Sequence, residues 1–220
     1  MKTYTFYTQS HESLLNDWFI PSFVKTQTNN ELIVKKFDQK CESGAFMSEG
    51  WNDSMFDKIE YVLHSIDDTP KNEFFIHADC DIQFFKDINE DLKSINFEMF
   101  DIVAQADGPD QICCGFMLIR SNDKTRTVFK EIIDLVKHKK YNNDQIALNA
   151  IYRKFGLNVG LLSFKYYSTW MSCPGLWNGQ PDPINNIPNN LVLHHANYTI
   201  GIDNKIKLLN MVKNAQSINT

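Results

Sequence analysis

Residues 74–85, Phe-Phe-Ile-His-Ala-Asp-Cys-Asp-Ile-Gln-Phe-Phe, decide how the rest of the sequence is interpreted. The short run from Phe74 to His77 is followed at once by acids, which is typical of a buried central strand that ends at a functional edge of a sheet. Residues two apart in an extended chain point the same way, so Asp79 and Asp81 can converge on one cation. Asp-x-Asp is also common on surfaces and in turns, but the flanking phenylalanines make two unpaired acids costly here. Carboxylate oxygens suit Mg²⁺ or Mn²⁺, which keep open positions for phosphate oxygens.

Outward from this stretch, the apolar pattern predicts alternating strands and helices. Strands are expected at Thr3 to Thr8, Glu31 to Phe37, Asp101 to Gln105, Gly115 to Arg120, Leu157 to Ser163 and Leu191 to His194. Helices are expected from a cap at Ser10 to a stop near Pro21, from Asp53 to Ile66, from Thr125 to Lys137 and from Asp144 to Phe155. This alternation favours an α/β fold with a mainly parallel sheet, and the length fits one domain over residues 1–220.

Composition and charge exclude several classes of function. Apolar residues make up 43% of the 220 residues and the net charge is −5, so the chain is globular, and without a Lys/Arg block nucleic acid is not its main partner. No apolar run is long enough to span a membrane, and the first residues lack the apolar core of a signal peptide. The five cysteines fit no zinc motif, and adjacent Cys113 and Cys114 are poorly placed for a disulfide. We therefore expect a cytoplasmic protein with reduced thiols and no membrane span.

Three further segments carry polar groups that could join the acid pair. Lys58 lies in the helix before the acidic strand, Asp144 and Gln145 begin a predicted helix, and His194 opens a segment near the C-terminus that ends at Lys205. Each also has an ordinary interpretation: a solvated helix lysine, a helix cap and a satisfied histidine. A histidine, a glycine and a lysine close together can equally complete a site for a metal and a diphosphate.

Taken in order, these segments resemble the GT-A nucleotide-diphospho-sugar transferases of the glycogenin and lipopolysaccharide-galactosyltransferase type, and the related plant-type xylosyl and galactosyl transferases. In that pattern a helix lysine precedes an apolar strand ending in Asp-x-Asp, as Lys58, Asp79 and Asp81 do here. The sequence at 113–120, Cys-Cys-Gly-Phe-Met-Leu-Ile-Arg, stands where the family has Asn-Ser-Gly and an apolar strand, and 144–149 matches its Asp-Gln-x-x-Leu-Asn. The closing His, Gly and Lys of the family are matched by His195, Gly201 and Lys205.

The resemblance implies a GT-A fold, with a central, mostly parallel sheet flanked by helices. It implies transfer of a sugar, with retention, from a nucleotide-diphosphate donor, a UDP-sugar, to a carbohydrate or glycoconjugate acceptor. The implied cofactor is Mn²⁺ or Mg²⁺, held by Asp79, Asp81 and His195. Catalytic roles are implied for Asp144 and Gln145, and donor binding is implied for Thr8, Gln9, Lys58, Asp79, Gly115, Gly201 and Lys205.

Two departures from the family pattern and two other functions remain open. Cys113 replaces an asparagine that often contacts the donor sugar, and the longer His-to-Gly spacing leaves His194 as an alternative ligand to His195. An aspartate-based phosphohydrolase or phosphotransferase normally has its acids on the first strand, whereas here they follow two strand–helix units. Cys113 is the feature that favours a non-catalytic sugar-binding module with the same fold. In the long segment from Trp170 to Asn190, Trp177 or its neighbours are expected to line the acceptor side, and the alternative is that Trp177 anchors the segment to the core.

Overall fold

The computed structural model describes residues 1–44, 48–173, 175–180, 184 and 186–218. The strands are β1 (Lys2–Tyr7), β2 (Glu31–Lys36), β3 (Phe74–Ala78), β4 (Ile82–Phe84), β5 (Ile102–Ala106), β6 (Ile112–Arg120), β7 (Val159–Leu161), β8 (Tyr166–Ser168) and β9 (Leu193–His195). The helices are α1 (Glu12–Leu14), α2 (Ile20–Thr26), α3 (Trp51–Asp68), α4 (Ile88–Leu92), α5 (Asp123–Lys137), α6 (Asp144–Ile151), α7 (Thr169–Ser172) and α8 (Ile202–Ile218). Short 3₁₀ turns occur at Gln9–His11 and Phe97–Met99, and a π-helical turn at Leu15–Phe19.

The larger of two sheets has six strands in the order β2-β1-β3-β6-β5-β7. Strand β1 is parallel to both β2 and β3, and β5 is parallel to β7. Strand β6 is antiparallel to its two neighbours. The predicted α/β fold, with a mostly parallel central sheet flanked by helices, is confirmed.

Apolar side chains pack against both faces of this sheet. Phe75 and Ile76 are adjacent in β3 and therefore point to opposite faces, where each is completely buried. Phe75 joins a cluster supplied by α3, α5 and α6, and Ile76 joins one that includes Phe19 of the π-helical turn and Ile82 of β4. Burial of both faces explains why β3 is a continuous apolar run without the alternation of a half-exposed strand.

Of the second sheet, in the order β4-β9-β8, only β9 was predicted, as the strand expected at Leu191 to His194. Each of its strands has three residues, too few to give a periodic signal. Ile82 of β4 pairs with His195 of the antiparallel strand β9, which in turn runs parallel to β8. This sheet brings the C-terminal histidines to the acidic end of β3.

Some predicted helix boundaries were wrong. The helix expected to stop near Pro21 continues to Thr26, because Pro21 falls in the first turn of α2, where its missing amide hydrogen costs little. Ser10 lies within a 3₁₀ turn and does not cap a helix. The helix expected to reach Phe155 ends at Ile151.

Within the described ranges, no helix combines the length and the apolar character needed to cross a bilayer. Part of the long segment from Trp170 to Asn190, namely 174, 181–183 and 185, lies outside the described residues.

Candidate active site

The acid pair lies at the carboxyl end of β3, where the sequence predicted it. The backbone amide of Asp79 donates to the carbonyl of Gly115 in β6 at 2.7 Å, which fixes the chain as it leaves the strand. The second sheet, β4-β9-β8, then places His195 next to the two acids. Its Nε2 lies 3.2 Å from Oδ1 of Asp81 and 4.0 Å from Oδ2 of Asp79. One ligand atom from each of these three residues lies within 4.8 Å of the others.

This donor set fits a divalent cation. Two carboxylates supply hard oxygen ligands, and an imidazole supplies a nitrogen, which Mn²⁺ accepts more readily than Mg²⁺. Three protein ligands also leave coordination positions for oxygens of a phosphorylated ligand. The residues present therefore suit the kind of ion that the sequence pattern implies.

The alternation of side chains in β9 separates the two histidines. His194 points away from the acids and its ring packs against that of Tyr167, with 5.6 Å between centroids. Neither ring nitrogen of His194 has a hydrogen-bond partner among the described residues. Burial lowers the pKa of His194 to about 3, so this ring is neutral. The geometry therefore favours His195, with His194 acting as a buried packing residue.

The two histidines should differ sharply in metal binding. His195→Ala removes one of three protein ligands, and we expect Mn²⁺ affinity in the presence of UDP to fall roughly 10- to 100-fold or more. His194→Ala should lower the melting temperature, because it deletes a buried ring, and leave Mn²⁺ affinity near that of the wild type. Calorimetric titration of Mn²⁺ into both variants measures the difference. Equal losses, or a larger loss in the His194 variant, would contradict the assignment.

Lys58 of α3 is buried, at 4% exposed, and so is not a solvated helix lysine. Its ammonium lies 3.0 Å from the Asp79 carboxylate and 3.2 Å from Oδ2 of Asp144. Burial opposes the charged form of Lys58, but the carboxylates of Asp144 and Asp79 raise its pKa well above the usual value. Burial would raise the pKa of Asp79, yet the Lys58 charge and the His77 ring, whose Nε2 lies 3.4 Å from Oδ1 of Asp79, lower it from 3.8 to about 2. The ion pairs therefore keep this end of the site charged.

Lys205 of α8 forms an ion pair with Asp81, as Lys58 does with Asp79. It donates to the carboxylate of Asp81 and, at 2.9 Å, to the backbone carbonyl of Ala196. Burial alone would raise the pKa of Asp81, but Lys205 and His195 hold it well below its usual range. Both acids of the pair are thus ionised at neutral pH.

Gln145, at the start of α6, is held by hydrogen bonds at both ends of its amide. Its Oε1 accepts from the backbone amide of Cys114 at 3.2 Å. Its Nε2 donates to Oδ2 of Asp107 at 3.0 Å and to the hydroxyl of Tyr198 at 3.1 Å. The buried Asp107 carboxylate also accepts from Asn197 Nδ2 at 2.9 Å. The neighbouring side chain of Asp144 faces Lys58, as described above.

Asp107 and Asn197 were not among the predicted site residues. Asp107 follows β5 as Asp79 follows β3, so an acid at the end of a predicted apolar strand was the signal that could have identified it. Asn197 lies two residues after His195, within the segment already singled out, but its partners come from distant parts of the chain.

A glycine is required at position 115 because the side chains of His195 and Asp79 approach it closely. A Cβ at this position would lie 2.1 Å from Cε1 of His195 and 2.9 Å from Oδ2 of Asp79. Non-bonded contacts that short are essentially never seen for a Cβ atom, so any side chain at this position would displace His195 or Asp79. The glycine predicted to contact the donor is therefore required by the cluster itself.

Cys113 occupies the position of the family asparagine and lies beside His195 and Asn197. Its Sγ lies 3.7 Å from Nδ1 of His195 and 3.7 Å from Nδ2 of Asn197. Burial raises the pKa of this thiol well above its usual value, so it remains a neutral, weakly polar group. A weak acceptor therefore stands where the family pattern has an amide.

A cavity of about 350 Å³ opens in front of the cluster. Of the residues predicted to form the site, those lining it are Thr8, Lys58, Asp79, Asp81, Gly115, Asp144, Gln145, His195 and Lys205. Its end near β1 has an apolar wall that sequence reasoning did not identify, which includes Phe6, Tyr7, Cys41, Trp51 and Met55. The site thus has a charged end and an apolar end.

Two predicted donor-binding residues are not among those lining the cavity. Gln9 hydrogen-bonds with Glu12 and Lys36 at the surface. Gly201 precedes α8 with φ of +85°, the left-handed conformation that favours glycine, and no heavy atom lies within 4 Å of a Cβ built there. Its backbone angle accounts for this glycine, and contact of either residue with a donor stays a prediction.

Trp177 is buried, at 1% exposed, and packs with Leu14 and Leu208. Of the two interpretations given above, anchoring of the segment fits this burial, whereas the neighbouring Leu176 lines the cavity. Trp177→Ala is expected to cost about 3–5 kcal/mol of unfolding free energy, because it leaves a large void. Chemical denaturation measures the loss. Unchanged stability together with a raised KM for an acceptor would contradict this role.

Fold and site together define a GT-A protein with a cluster suited to a divalent cation. The model of the nucleotide-diphospho-sugar transferase family matches residues 22–209, and the chain belongs to that family. A curated relative, the UDP-galactose:fucoside alpha-3-galactosyltransferase of Dictyostelium discoideum, is 33% identical over 89 residues, which is 40% of this chain and 12% of that protein. The chain therefore matches only a small part of this relative.

Solved structures share the fold at low sequence identity. The glycosyltransferase GlyE of Streptococcus pneumoniae TIGR4 superposes with a TM-score of 0.61 at 11% identity, covering 97% of this chain and 63% of that one. A glycosyltransferase involved in glycosylation of the major capsid of PBCV-1 gives 0.62 at 7% identity, covering 96% and 98%. The galactosyltransferase LgtC, with donor and acceptor sugar analogues, gives 0.55 at 11% identity, covering 90% and 87%.

Proposed function

We propose that this chain is a metal-dependent glycosyltransferase that moves a sugar from a UDP-sugar to a carbohydrate or glycoconjugate acceptor with retention of configuration. This proposal rests on the charged residues that line the cavity. The described lining includes three carboxylates, Asp79, Asp81 and Asp144, and two lysines, Lys58 and Lys205. A nucleoside diphosphate adds further negative charge, so its binding requires a cation, and the Asp79–Asp81–His195 cluster is suited to hold one.

Different residues of the chain would have different roles in the reaction. A divalent cation held by the cluster would act as a Lewis acid on the departing diphosphate. Lys205 would add fixed positive charge at the same place, because its ammonium already faces Asp81. The Asp144 carboxylate lies at the cavity wall, where it would stabilise positive charge that develops on the sugar. Lys58 holds that carboxylate and Asp79 in fixed positions.

Because hydrogen bonds fix both ends of the Gln145 side-chain amide, we assign this residue a positioning role beside the reacting centre. With its oxygen bonded to Cys114 and its nitrogen bonded to Asp107 and Tyr198, it contributes a fixed surface against which a substrate hydroxyl can be oriented. Retention is proposed from the family resemblance. The choice of UDP is supported by the named donor of the curated relative. The imidazole ligand supports Mn²⁺ over Mg²⁺.

The experiment is a donor panel of UDP-, GDP- and ADP-sugars with Mn²⁺ or Mg²⁺, in which release of nucleoside diphosphate is measured. We expect release from a UDP-sugar, faster with Mn²⁺, and loss of release in Asp81→Asn. Proton NMR of the first product reports whether the anomeric configuration is retained. Release of inorganic phosphate would instead indicate a phosphohydrolase. Sugar binding without release would indicate a non-catalytic module.

A further inference from the structure

Gln105 of β5 connects the metal cluster to the small sheet. Its side chain is completely buried, at 0% exposed. Its Nε2 donates to the backbone carbonyl of Tyr166 in β8 at 3.0 Å. Its Oε1 lies 2.9 Å from Nδ1 of His195 in β9. One buried amide thus contacts both neighbouring strands of the second sheet.

These two contacts determine which way the amide faces. A backbone carbonyl only accepts hydrogen bonds, so the amide nitrogen of Gln105 must face Tyr166. The amide oxygen therefore faces His195, and because this oxygen also only accepts, Nδ1 of His195 must carry the hydrogen. Nε2 is therefore the atom available to a cation, although without one it faces the Asp81 carboxylate, which can accept a hydrogen from it. The distance from Nε2 to Oδ1 of Asp81 is 3.2 Å.

We propose that Gln105 is a positioning residue that fixes the Nδ1–H tautomer and the ring orientation of His195, so that Nε2 is presented to the cation; the metal part of this inference rests on the proposed function. The outer partner of a metal-bound histidine normally sets its tautomer in this way. The other group near Nδ1, the Cys113 thiol at 3.7 Å, is a weak acceptor and cannot replace the amide. Without Gln105, no strong acceptor holds a hydrogen on Nδ1, and the Asp81 carboxylate favours a ring with its hydrogen on Nε2, which must be lost before a cation can bind.

The chain offers a matched control in Gln83. It too is a buried glutamine, and it lies in β4 opposite His194 in the strand register. Side chains of paired residues share a face of a sheet, so Gln83 lies on the face away from His195. Gln105→Leu removes the acceptor from His195, and Gln83→Leu makes the same chemical change without touching it.

The first measurement is ¹⁵N NMR of histidine-labelled protein without metal, with the His195 signals assigned by comparison with His195→Ala. We expect a hydrogen on Nδ1 in the wild type and in Gln83→Leu, and in Gln105→Leu its loss from Nδ1, with a hydrogen on Nε2 alone. A wild-type His195 with its hydrogen on Nε2 alone would overturn the proposal even if the Gln105 variant failed to fold. An unchanged tautomer in folded Gln105→Leu would also overturn it.

The second measurement is calorimetric titration of Mn²⁺ in the presence of UDP. We expect a roughly 10- to 100-fold loss of affinity in Gln105→Leu and wild-type affinity in Gln83→Leu. Equal affinity in both variants would refute the positioning of the metal ligand. A wild type that has the expected tautomer but binds neither Mn²⁺ nor UDP would refute the proposed function alone.

Discussion

Lys58→Met is expected to lower the free energy of unfolding by about 3–5 kcal/mol, because it leaves the buried Asp144 and the partly buried Asp79 carboxylates without their shared cation. The ammonium lies between Asp79 and Asp144, at 3.0 and 3.2 Å, and solvent cannot replace it at 4% exposure. For a chain of this length, such a loss corresponds to a fall in melting temperature of roughly 6–20 °C. Urea denaturation of wild type and variant at pH 7.5 measures it.

Two further variants show whether the loss comes from the buried charge. Lys71→Met removes a lysine from the exposed ion pair with Asp123, where we expect a change near zero. Adding Asp144→Asn to Lys58→Met removes one of the two carboxylates that were left without a cation, and should restore part of the lost unfolding free energy. A Lys58→Met protein as stable as Lys71→Met would contradict the assigned role of Lys58.

Gly115→Ala is expected to abolish metal-dependent nucleotide binding while leaving the fold intact. The added methyl group would stand 2.1 Å from the His195 ring and 2.9 Å from the Asp79 carboxylate, so at least one ligand must move. We expect the loss of Mn²⁺ affinity to be at least as large as the roughly 10- to 100-fold that follows removal of an outer partner of a ligand. Calorimetry with Mn²⁺ and UDP measures affinity, and circular dichroism reports folding.

Cys114→Ala is the matched control for Gly115→Ala. Cys114 is the adjacent residue of β6, and its side chain packs in the core on the opposite face of the sheet. Its truncation should reduce stability modestly and leave Mn²⁺ affinity close to that of the wild type. Wild-type Mn²⁺ affinity in Gly115→Ala would show that the cluster is not built as described.

The order of strands and helices and the position of the acid pair could be predicted from the sequence because both depend on local patterns. The apolar run before Asp79 marks a strand buried on both faces, and the acids mark its carboxyl end. The amphipathic pattern of α3 likewise places Lys58 on the helix before that strand. These signals extend over a few residues and need no knowledge of the rest of the fold.

The detailed construction of the site could not be predicted, because it depends on contacts between distant segments. The small sheet consists of strands of three residues, and its register decides that His195 rather than His194 faces the acids. The side-chain partners of Lys58 and of Gln145 lie at least 21 and 31 residues away along the chain, and no local sequence pattern near either residue indicates them. Gln105 is likewise an ordinary polar residue until the fold buries it beside His195.

Calorimetric titration of UDP, with Mn²⁺ present and again with the metal chelated, tests the central claim most directly. The claim is that the Asp79–Asp81–His195 cluster binds a cation that makes diphosphate binding feasible in an acidic cavity. The expected result is saturable UDP binding with Mn²⁺, none in chelator, and none with Mn²⁺ in Asp81→Asn. Equal UDP affinity with and without the metal, or undiminished affinity in Asp81→Asn, would contradict it.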